Sequence, residues 1–404
     1  MWEGATRWGP PIATMAVVSV AVAYASPMFA LLIERAGYSG GANGLSASLT
    51  ALMMILAAPV LPGLLARVGL IPLVLGAGVL AAVMMLVVPV IEALWWWTFL
   101  RMGLGLVVVG MFFATEYWLV ETSPGARRGR IVAIYSVVVS GSYALGPLAL
   151  ERVGFETYLT YALPAAVILA GMAPIWFGRQ NAPKPREEPA ATPAETLGYF
   201  RSDPLIMWGV VLFGMIEFGA MGLLSVWALR SGLAESLALG LLAWMALGSM
   251  LFQYPLGWAA DRYDRRRLLA LAGGVSMVAP LILMAGVGLE AALIAAVVLW
   301  GGMAVSLYSL ALTELGARYD GPRLAAGTAA VVLAYGFGAF IAPASFGWAM
   351  DLVPPDGLLW AAALVALLYT LLALIRIALV PRSGPEEKDP PGTDSLDNDA
   401  QIRR

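Results

Sequence analysis

Neither cysteine nor histidine occurs among the 404 residues of the chain. The absence of cysteine excludes disulfide bonds, thiol nucleophiles and thiolate metal sites. The absence of histidine removes the side chain that titrates closest to neutral pH, so any proton carrier must be a carboxylate, helped by tyrosine or water. Charge is scarce as well, because Asp, Glu, Lys and Arg make up only 12% of the residues. Soluble domains carry about twice that share, so the scarcity of charge excludes a soluble globular protein.

Long apolar runs dominate the chain instead, since 60% of its residues are hydrophobic and the mean hydropathy is +0.82. This composition predicts an all-α polytopic protein of the lipid bilayer. A run of about 20 apolar residues is long enough to cross a membrane as a helix. Twelve such runs predict twelve transmembrane helices, at residues 10–34, 44–66, 70–90, 94–120, 130–150, 157–178, 204–229, 236–260, 267–288, 291–315, 323–350 and 357–380.

The predicted helices divide into two bundles of six, residues 1–178 and 204–380. Between the bundles, residues 179–203 are rich in Pro, Ala, Glu and Lys/Arg, so we expect a cytoplasmic linker that packs no core. Residues 381–404 are rich in Asp, Glu, Pro and Gly. We expect this last segment to form a disordered cytoplasmic tail.

The two bundles share sequence landmarks at an offset of 195 or 196 residues. This repetition predicts a duplicated six-helix unit and therefore two pseudo-symmetric bundles. Many secondary carriers are built in this way, and they bind substrate near the membrane midplane between the repeats. The landmark pairs are Arg35-Ala36-Gly37 with Arg230-Ser231-Gly232, Ala66-Arg67 with Asp261-Arg262, and Gly146-Pro147 with Ala342-Pro343.

Basic residues are distributed unevenly between the two predicted faces of the membrane. Twenty of the 24 Lys and Arg residues lie in the N-terminus, in the loops after the even-numbered helices and in the region from Arg376 onward. By the positive-inside rule we expect both termini in the cytoplasm, in a multi-pass protein of the bacterial inner membrane. No basic face of suitable size exists outside the loops, so we expect no nucleic-acid partner, and we expect a monomer.

The loop after the predicted eighth helix carries a motif. Its sequence is GWAADRYDRRRLLALAG, residues 257–273. It resembles the signature loop of the major facilitator superfamily, G-x-x-x-D-R-x-G-R-R/K, with Asp264 in place of the second glycine. The equivalent loop of the first half keeps Arg67 but has Ala66 instead of the aspartate. The residues that carry the resemblance are Gly257, Asp261, Arg262, Arg265 and Arg266.

The resemblance to this superfamily extends over residues 10–380, and it implies a transporter that works by alternating access. In such a loop an aspartate, neighbouring arginines and a helix terminus tie two helix ends together, which stabilises one of the alternating states. We therefore expect Arg67, Asp261 and Arg262 to belong to a cytoplasmic gate.

Two further motifs bear on proton coupling and on the direction of transport. Arg101 with Gly105 matches R-x-x-x-G, the helix 4 motif of proton-coupled members, although the polar residue expected between them is absent. Gly146-Pro147 resembles the helix 5 motif of exporters, without its closing glycines. Residues 99–135, which include Arg101, Glu116 and the sequence RRGRIVAIY, resemble the YcaD-like branch of the superfamily.

Two charged residues lie deep in predicted helices. Glu217 is about 20 Å from the cytoplasmic start of the seventh helix, at the rise of an α-helix. It is either a proton carrier or a contact for a cationic substrate, or else a protonated residue that hydrogen-bonds to a neighbouring helix. Arg101 is about 10 Å from the outer end of the fourth helix, and it either faces the bundle or extends outward to carbonyls or water. A role in transport is favoured for both, because charges inside membranes are rare and unfavourable.

Other polar residues complete the expected path and gate. Glu116 lies near the cytoplasmic end of the fourth helix, where it either forms a gate ion pair with Arg128 or Arg130 or takes part in proton coupling. Glu314 ends the tenth helix, and we expect it to pair with Arg318 or Arg323. The remaining candidates for the substrate and proton path are Tyr24, Tyr143, Gln253, Tyr308 and Tyr335. The full set of expected gate residues is Arg67, Glu116, Arg128, Arg130, Asp261, Arg262 and Glu314.

The sequence as a whole predicts a secondary active transporter that moves a small organic solute by alternating access, with proton coupling and outward transport. A facilitator or an uptake symporter stays open, as does a membrane scaffold or sensor that transports nothing. No phosphate-binding G-x-x-x-x-G-K-S/T motif occurs, so ATP is not the expected energy source, and we expect no bound cofactor or metal. Without His, Cys or a paired-acid constellation, we expect no enzymatic activity.

Overall fold

The structure is a computed structural model that describes residues 5–123, 128–184, 193–319 and 321–379. Within these ranges the regular structure is entirely helical, which confirms the predicted all-α class. The first half contains α1 (Ala5–Arg35), α2 (Gly40–Ala57), α3 (Leu61–Val68), α4 (Leu70–Leu86), α5 (Leu94–Thr122), α6 (Arg128–Val153), α7 (Leu159–Gly171) and α8 (Ala173–Gly178). The second contains α9 (Pro193–Ser202), α10 (Pro204–Gly214), α11 (Met221–Arg230), α12 (Glu235–Arg262), α13 (Arg265–Ala285), α14 (Glu290–Arg318), α15 (Gly321–Leu352) and α16 (Gly357–Leu379).

Eleven helices in the described part of the chain are long and apolar enough to cross a membrane. Apart from the short helices α3 and α9, the helix outside this set is α6, which coincides with the fifth predicted span. It has 26 residues, and its residues 131–148 include no charged side chain. It packs beside α1 and α12. The polytopic class is confirmed, and the count of twelve membrane-spanning helices stays a prediction.

Proline divides two of the predicted helices. The second predicted span, 44–66, is two helices in the structure, because α2 ends just before Pro59 and α3 begins after a short turn. The sixth span, 157–178, likewise breaks between α7 and α8, next to Pro174. Proline has no backbone N–H, and its ring collides with the preceding turn, so a helix kinks or stops there.

The predicted linker contains more structure than its composition indicates. Residues 193–202 form α9, which packs against α10 and α15. Tyr199 is 9% exposed, and its hydroxyl donates a hydrogen bond to the carbonyl of Arg323 at 2.6 Å. The expectation that residues 179–203 pack no core is therefore wrong, because an aromatic residue anchors their last part. The predicted tail, residues 381–404, lies outside the described residues.

Two pairs of helices make the most extensive contacts between the halves. One pair is α2 with α15, whose backbones touch: a Cβ atom added to Gly44 would lie 1.9 Å from the carbonyl oxygen of Pro343. The Oγ of Ser48 accepts a hydrogen bond from the backbone N–H of Ala344 at 3.0 Å along the same seam. The other pair is α6 with α12. Small residues let membrane helices approach this closely, and the contact then rests on packing and short polar bonds.

The α2–α15 seam predicts unequal effects of glycine-to-alanine substitutions. Gly44→Ala should lower the free energy of unfolding by about 1–3 kcal/mol, because the added methyl group forces the two backbones apart. The matched control is Gly76→Ala in α4, where an added Cβ meets nothing within 4 Å. Alanine has the higher helix propensity, so this control should be neutral or stabilising. Thermal unfolding of the purified variants in detergent measures the difference, and equal melting temperatures would contradict the seam.

Candidate functional site

A cavity of about 760 Å³ lies between the two halves. Helices α1, α2, α5 and α6 line it on one side, and α10 to α12, α14 and α15 line it on the other. Along α12 the lining begins only at Leu242, about two turns after the first residue, but it continues to Ala260, close to the last residue. The cavity therefore opens at the end of the bundle where α12 ends, which we call the open end. We call the opposite end, where α1 and α11 end, the closed end.

Glu217 lies at the centre of the molecule and on the wall of the cavity. It is the middle residue of the continuous helical span Pro204–Arg230. Its carboxylate accepts a hydrogen bond from the hydroxyl of Tyr335 on α15 at 2.7 Å. The backbone around it is π-helical over Met215–Ala220. Such segments occur mainly as single turns inside α-helices and often mark functional sites.

The π-helical segment is pressed against α15. A Cβ atom added to Gly214 would lie 2.3 Å from the carbonyl oxygen of Tyr335, and one added to Gly219 would lie 2.6 Å from the side chain of Ala342. These two glycines therefore allow the approach that brings the Tyr335 hydroxyl to Glu217. The close contact ties the carboxylate of one helix to the position of the next.

Aromatic rings pack around Tyr335, the partner of this carboxylate. The ring of Tyr335 is stacked on Phe213 at 5.6 Å between centroids, and it meets Phe218 edge-on at 6.0 Å. Tyr308 on α14 completes the group at 6.2 Å from Tyr335. The structure thus brings the predicted residues Glu217, Tyr308 and Tyr335 together. Sequence analysis missed Phe213 and Phe218, whose only signal is their position four residues before and one residue after Glu217.

Glu116 faces the same cavity from α5, nearer the open end. Its carboxylate accepts a hydrogen bond from the hydroxyl of Tyr135 on α6 at 3.2 Å. The structure therefore gives it a phenol partner, which sequence analysis missed. The side chains of Arg128 and Arg130 lie outside the described residues, so the expected ion pair with either of them stays a prediction.

Arg101 also lines the cavity, and its side chain is only 7% exposed. Its Nη1 atom has no hydrogen-bond partner in the part of the chain that the structure describes. Of the two alternatives left open by the sequence, the structure shows the one in which the guanidinium faces the bundle. The described cavity wall thus contains one buried cation and two carboxylates, with Arg101 and Glu116 on α5 and Glu217 in the π-helical segment.

Three other predicted cavity residues have different positions. Tyr143 and Gln253 line the cavity, and Gln253 donates a hydrogen bond from Nε2 to the Oγ of Ser140 at 2.9 Å, which links α12 to α6. Tyr24 does not line it: its side chain is 1% exposed and belongs to the hydrophobic core. The part predicted for Tyr24 in the substrate path therefore stays a prediction, since in this conformation its side chain packs in the core.

The motif loop at the open end does not form the expected gate. Arg262 stacks over the ring of Trp258 at 4.1 Å, within its own half. Asp261 and Arg67 are exposed, and neither forms a hydrogen bond or ion pair with the described residues of the chain. Because the open end is unobstructed, these side chains have nothing to close against in this conformation. Asp264, the departure from the motif, caps α13 by accepting a hydrogen bond from the N–H of Arg266 at 2.9 Å.

Glu314 forms the ion pair that was predicted for it. Its carboxylate binds Arg318 at 2.6 Å and Arg265 at 3.4 Å, which connects α14 to the start of α13. Arg318 also binds the buried carboxylate of Asp203 at 2.7 Å. Burial and the hydrogen bond to Asp203 raise the pKa of Tyr319 to about 12, so this phenol stays protonated and keeps donating. All of these contacts lie within the second half and therefore stabilise that half, not a gate between halves.

The closed end is held by charges that cross between the halves. Arg230 at the end of α11 binds both carboxylate oxygens of Glu34 at the end of α1, at 2.8 and 2.9 Å. It also binds Asp351 at the end of α15 at 3.0 Å. A second ion pair joins Arg35 to Glu235.

Asp351 adds a contact to the first half. Its two carboxylate oxygens accept hydrogen bonds from the backbone N–H groups of Gly40 and Gly41, at 2.8 and 2.7 Å. These N–H groups are at the start of α2, where they have no partner inside the helix and where the helix dipole favours an anion. Sequence analysis missed this closing network, because its carboxylates look like ordinary residues at the ends of helices and in short loops.

Comparisons with known proteins identify the family. A family model described as the Major Facilitator Superfamily matches residues 12–251 and 234–400, and the chain belongs to this superfamily. The MFS-type transporter YfkF of Bacillus subtilis strain 168 is 27% identical over 335 residues, which cover 80% of this chain and 84% of YfkF. The MFS-type transporter YcaD of Salmonella arizonae is 25% identical over 297 residues, or 72% of this chain and 75% of YcaD. The protein is accordingly a multi-pass membrane transporter.

Solved structures show the same fold. A crystal structure of a mutant of the nucleoside transporter NupG matches with a TM-score of 0.74 at 10% identity, over 93% of this chain and 100% of that one. A bacterial homologue of the human lysosomal transporter Spinster, in an inward-facing and unoccupied conformation, matches with a TM-score of 0.61 at 15% identity. That match covers 93% of this chain and 94% of the homologue. At these identities the similarity concerns the fold alone.

The closed end predicts how the cavity becomes accessible from its other side. Because the chain has no cysteine, a single Ser26→Cys substitution places one reactive thiol on the cavity wall. A membrane-impermeant maleimide should label it from the face at the open end and only weakly from the other. Adding Arg230→Gln leaves Glu34 and Asp351 without their cation, so labelling from the closed end should rise several-fold.

The matched control is Arg152→Gln. It removes an exposed arginine at the last turn of α6, which lies at the closed end of the bundle. It should leave labelling from both faces unchanged. Equal labelling in the presence and absence of Arg230 would show that this arginine does not hold the closed end.

Proposed function

We propose that the protein is a proton-coupled secondary transporter that exports a small organic solute from the cytoplasm by alternating access. The halves contribute different parts of the machinery. The second half supplies the proton site, Glu217 with Tyr335, and the first half supplies the buried cation Arg101. The solute occupies the cavity between them, and no bound cofactor or metal takes part.

The observation that carries this proposal is the position of Glu217. An acid at the middle of a membrane-spanning segment is unfavourable unless it is protonated or partnered, and such acids commonly serve proton transfer. Glu217 meets the cavity directly, so protons and solute reach it from the same space. Its partner Tyr335 belongs to α15, which also forms the seam with α2. A change in the charge of Glu217 therefore acts on a helix that both halves share.

The orientation and direction of transport are part of the proposal. The count of basic residues supports cytoplasmic termini, and the open end then faces the cytoplasm in this conformation. Labelling of Ser26→Cys from the cytoplasmic face checks this orientation. Export is favoured by the Gly146-Pro147 pair, which resembles the exporter motif of helix 5. Gly146 has a clear structural role here, since an added Cβ would lie 2.5 Å from the backbone nitrogen of Tyr24.

Proton coupling predicts the effect of Glu217→Gln. A screen of metabolites and drugs for thermal stabilisation of the purified protein first supplies a solute. In proteoliposomes containing a pH-sensitive dye, a gradient of that solute should drive proton flux in the wild type. Glu217→Gln should abolish this flux, because the amide cannot exchange a proton. Tyr335→Phe keeps the carboxylate and should retain coupling at a changed rate.

The matched control is Glu92→Gln, which removes an exposed carboxylate outside the cavity. It should transport like the wild type. Solute-driven proton flux that survives in Glu217→Gln would eliminate Glu217 as the proton carrier. Solute uptake without any proton flux in the wild type would identify the protein as a facilitator instead.

A further inference from the structure

Arg101 is a buried cation that the described protein does not neutralise. Its side chain is 7% exposed, and Nη1 lacks a hydrogen-bond partner among the described residues. Every Arg–carboxylate ion pair that the structure describes lies elsewhere, at the closed end or in the second half. A buried charge without a partner is strongly unfavourable, so its retention in this position requires a reason.

The two acids of the cavity do not supply that partner. Glu217 accepts a hydrogen bond from the hydroxyl of Tyr335, and Glu116 accepts one from the hydroxyl of Tyr135. Glu116 is also fifteen residues further along the same helix as Arg101, which separates the two by about 22 Å. The protein therefore leaves the guanidinium free to bind an anion that enters the cavity.

The surroundings of Arg101 favour an organic anion over a bare ion. The guanidinium group presents N–H donors in a planar fork that matches a carboxylate with two parallel hydrogen bonds. Most other lining residues are apolar, and the aromatic group of Phe213, Phe218 and Tyr308 stands on the facing half. Such walls bind the body of a solute, while the polar group fixes its orientation.

We infer that Arg101 binds the carboxylate of an amphipathic organic acid whose apolar or aromatic body packs against Phe213, Phe218 and Tyr308. This inference rests on the proposed transport function and gives the chemical class of the solute. Arg101 acts as the binding residue for the anion, whereas Glu217 holds the coupling proton. Arg101 belongs to the first half, whereas Glu217 and the three aromatic residues belong to the second half. A bound solute therefore contacts both halves at once.

A cationic solute is the alternative that the two carboxylates bring to mind. It would add a positive charge to a cavity in which Arg101 is already uncompensated. A carboxylate, in contrast, neutralises the guanidinium and leaves the Tyr335–Glu217 and Tyr135–Glu116 hydrogen bonds intact. The geometry therefore favours the anion.

Matched sets of small probes test the inference on the purified full-length protein. Each set has one aromatic body with three head groups: phenylacetate, phenylacetamide and phenethylamine, and likewise indole-3-acetate, indole-3-acetamide and tryptamine. Thermal stabilisation over a concentration series gives the binding constant of each probe. In the wild type at least one carboxylate should bind ten-fold or more tightly than its amide and its amine. Arg101→Met should abolish that preference, and Arg101→Lys should keep part of it.

A second measurement needs no ligand. If Arg101 is uncompensated in the empty cavity, Arg101→Met should raise the melting temperature of the ligand-free protein. The matched control, Arg152→Gln, should leave both the melting temperature and the preference for carboxylates unchanged. A lower melting temperature for Arg101→Met would show that the guanidinium has a structural partner, and that result would overturn the inference.

The remaining outcomes are equally decisive. Tighter binding of the amines, or no preference for any carboxylate over its amide, would overturn the anion assignment. Proton coupling is measured separately, since Glu217→Gln should still bind carboxylates in preference to amides. Carboxylate binding that depends on Arg101, combined with unchanged proton flux in Glu217→Gln, would support this inference and remove only the proposed proton carrier.

Discussion

An ionised group inside a bilayer loses its hydration, and this constraint determines where the protein places its few charges. The closed end gathers carboxylates and arginines that neutralise one another across the halves. The middle of the cavity contains Glu217, whose carboxylate is held by a tyrosine. Arg101 is the buried charge that lacks such a partner among the residues described. The paired charges of the closed end stabilise the conformation seen here, whereas the unpaired guanidinium of Arg101 is available to a solute.

The closed end also shows how a duplicated unit becomes asymmetric. Arg35 and Arg230 are equivalent residues of the two repeats, and each binds a carboxylate of the other half. Their second contacts are also at equivalent positions, Phe155 and Asp351, 196 residues apart. Arg35 lies 4.2 Å over the ring of Phe155, while Arg230 binds the carboxylate of Asp351. Of the two equivalent positions, only Asp351 in the second repeat can bind the backbone N–H groups at the start of α2. The closed end therefore depends mainly on Arg230 and Asp351.

The sequence was sufficient to predict the properties that depend on a single helix. Hydropathy and rise per residue located the membrane segments and put Glu217 at mid-depth, where the structure has it. Partners were harder, because they depend on how neighbouring helices rotate and cross. Tyr335 was predicted to be in the cavity but not as the partner of Glu217, and Tyr135 beside Glu116 was missed. Tyr24 was predicted in the path but packs in the core in this conformation, and a helix with apolar residues on most faces gives little periodic signal for the face that meets the cavity.

In the proposed mechanism the protonation of Glu217 controls whether the closed end or the open end of the cavity is shut. Pulsed electron spin resonance measures it in lipid, since spin labels can be attached to introduced cysteines in a chain that has none. One pair of labels at the exposed positions Ala36 and Ala234 reports on the closed end, and another at Leu64 and Tyr263 reports on the open end. A change of pH should lengthen the distance in one pair while it shortens the other, and Glu217→Gln should remove this response. Distances that change independently at the two ends, or a pH response that persists in Glu217→Gln, would contradict the account.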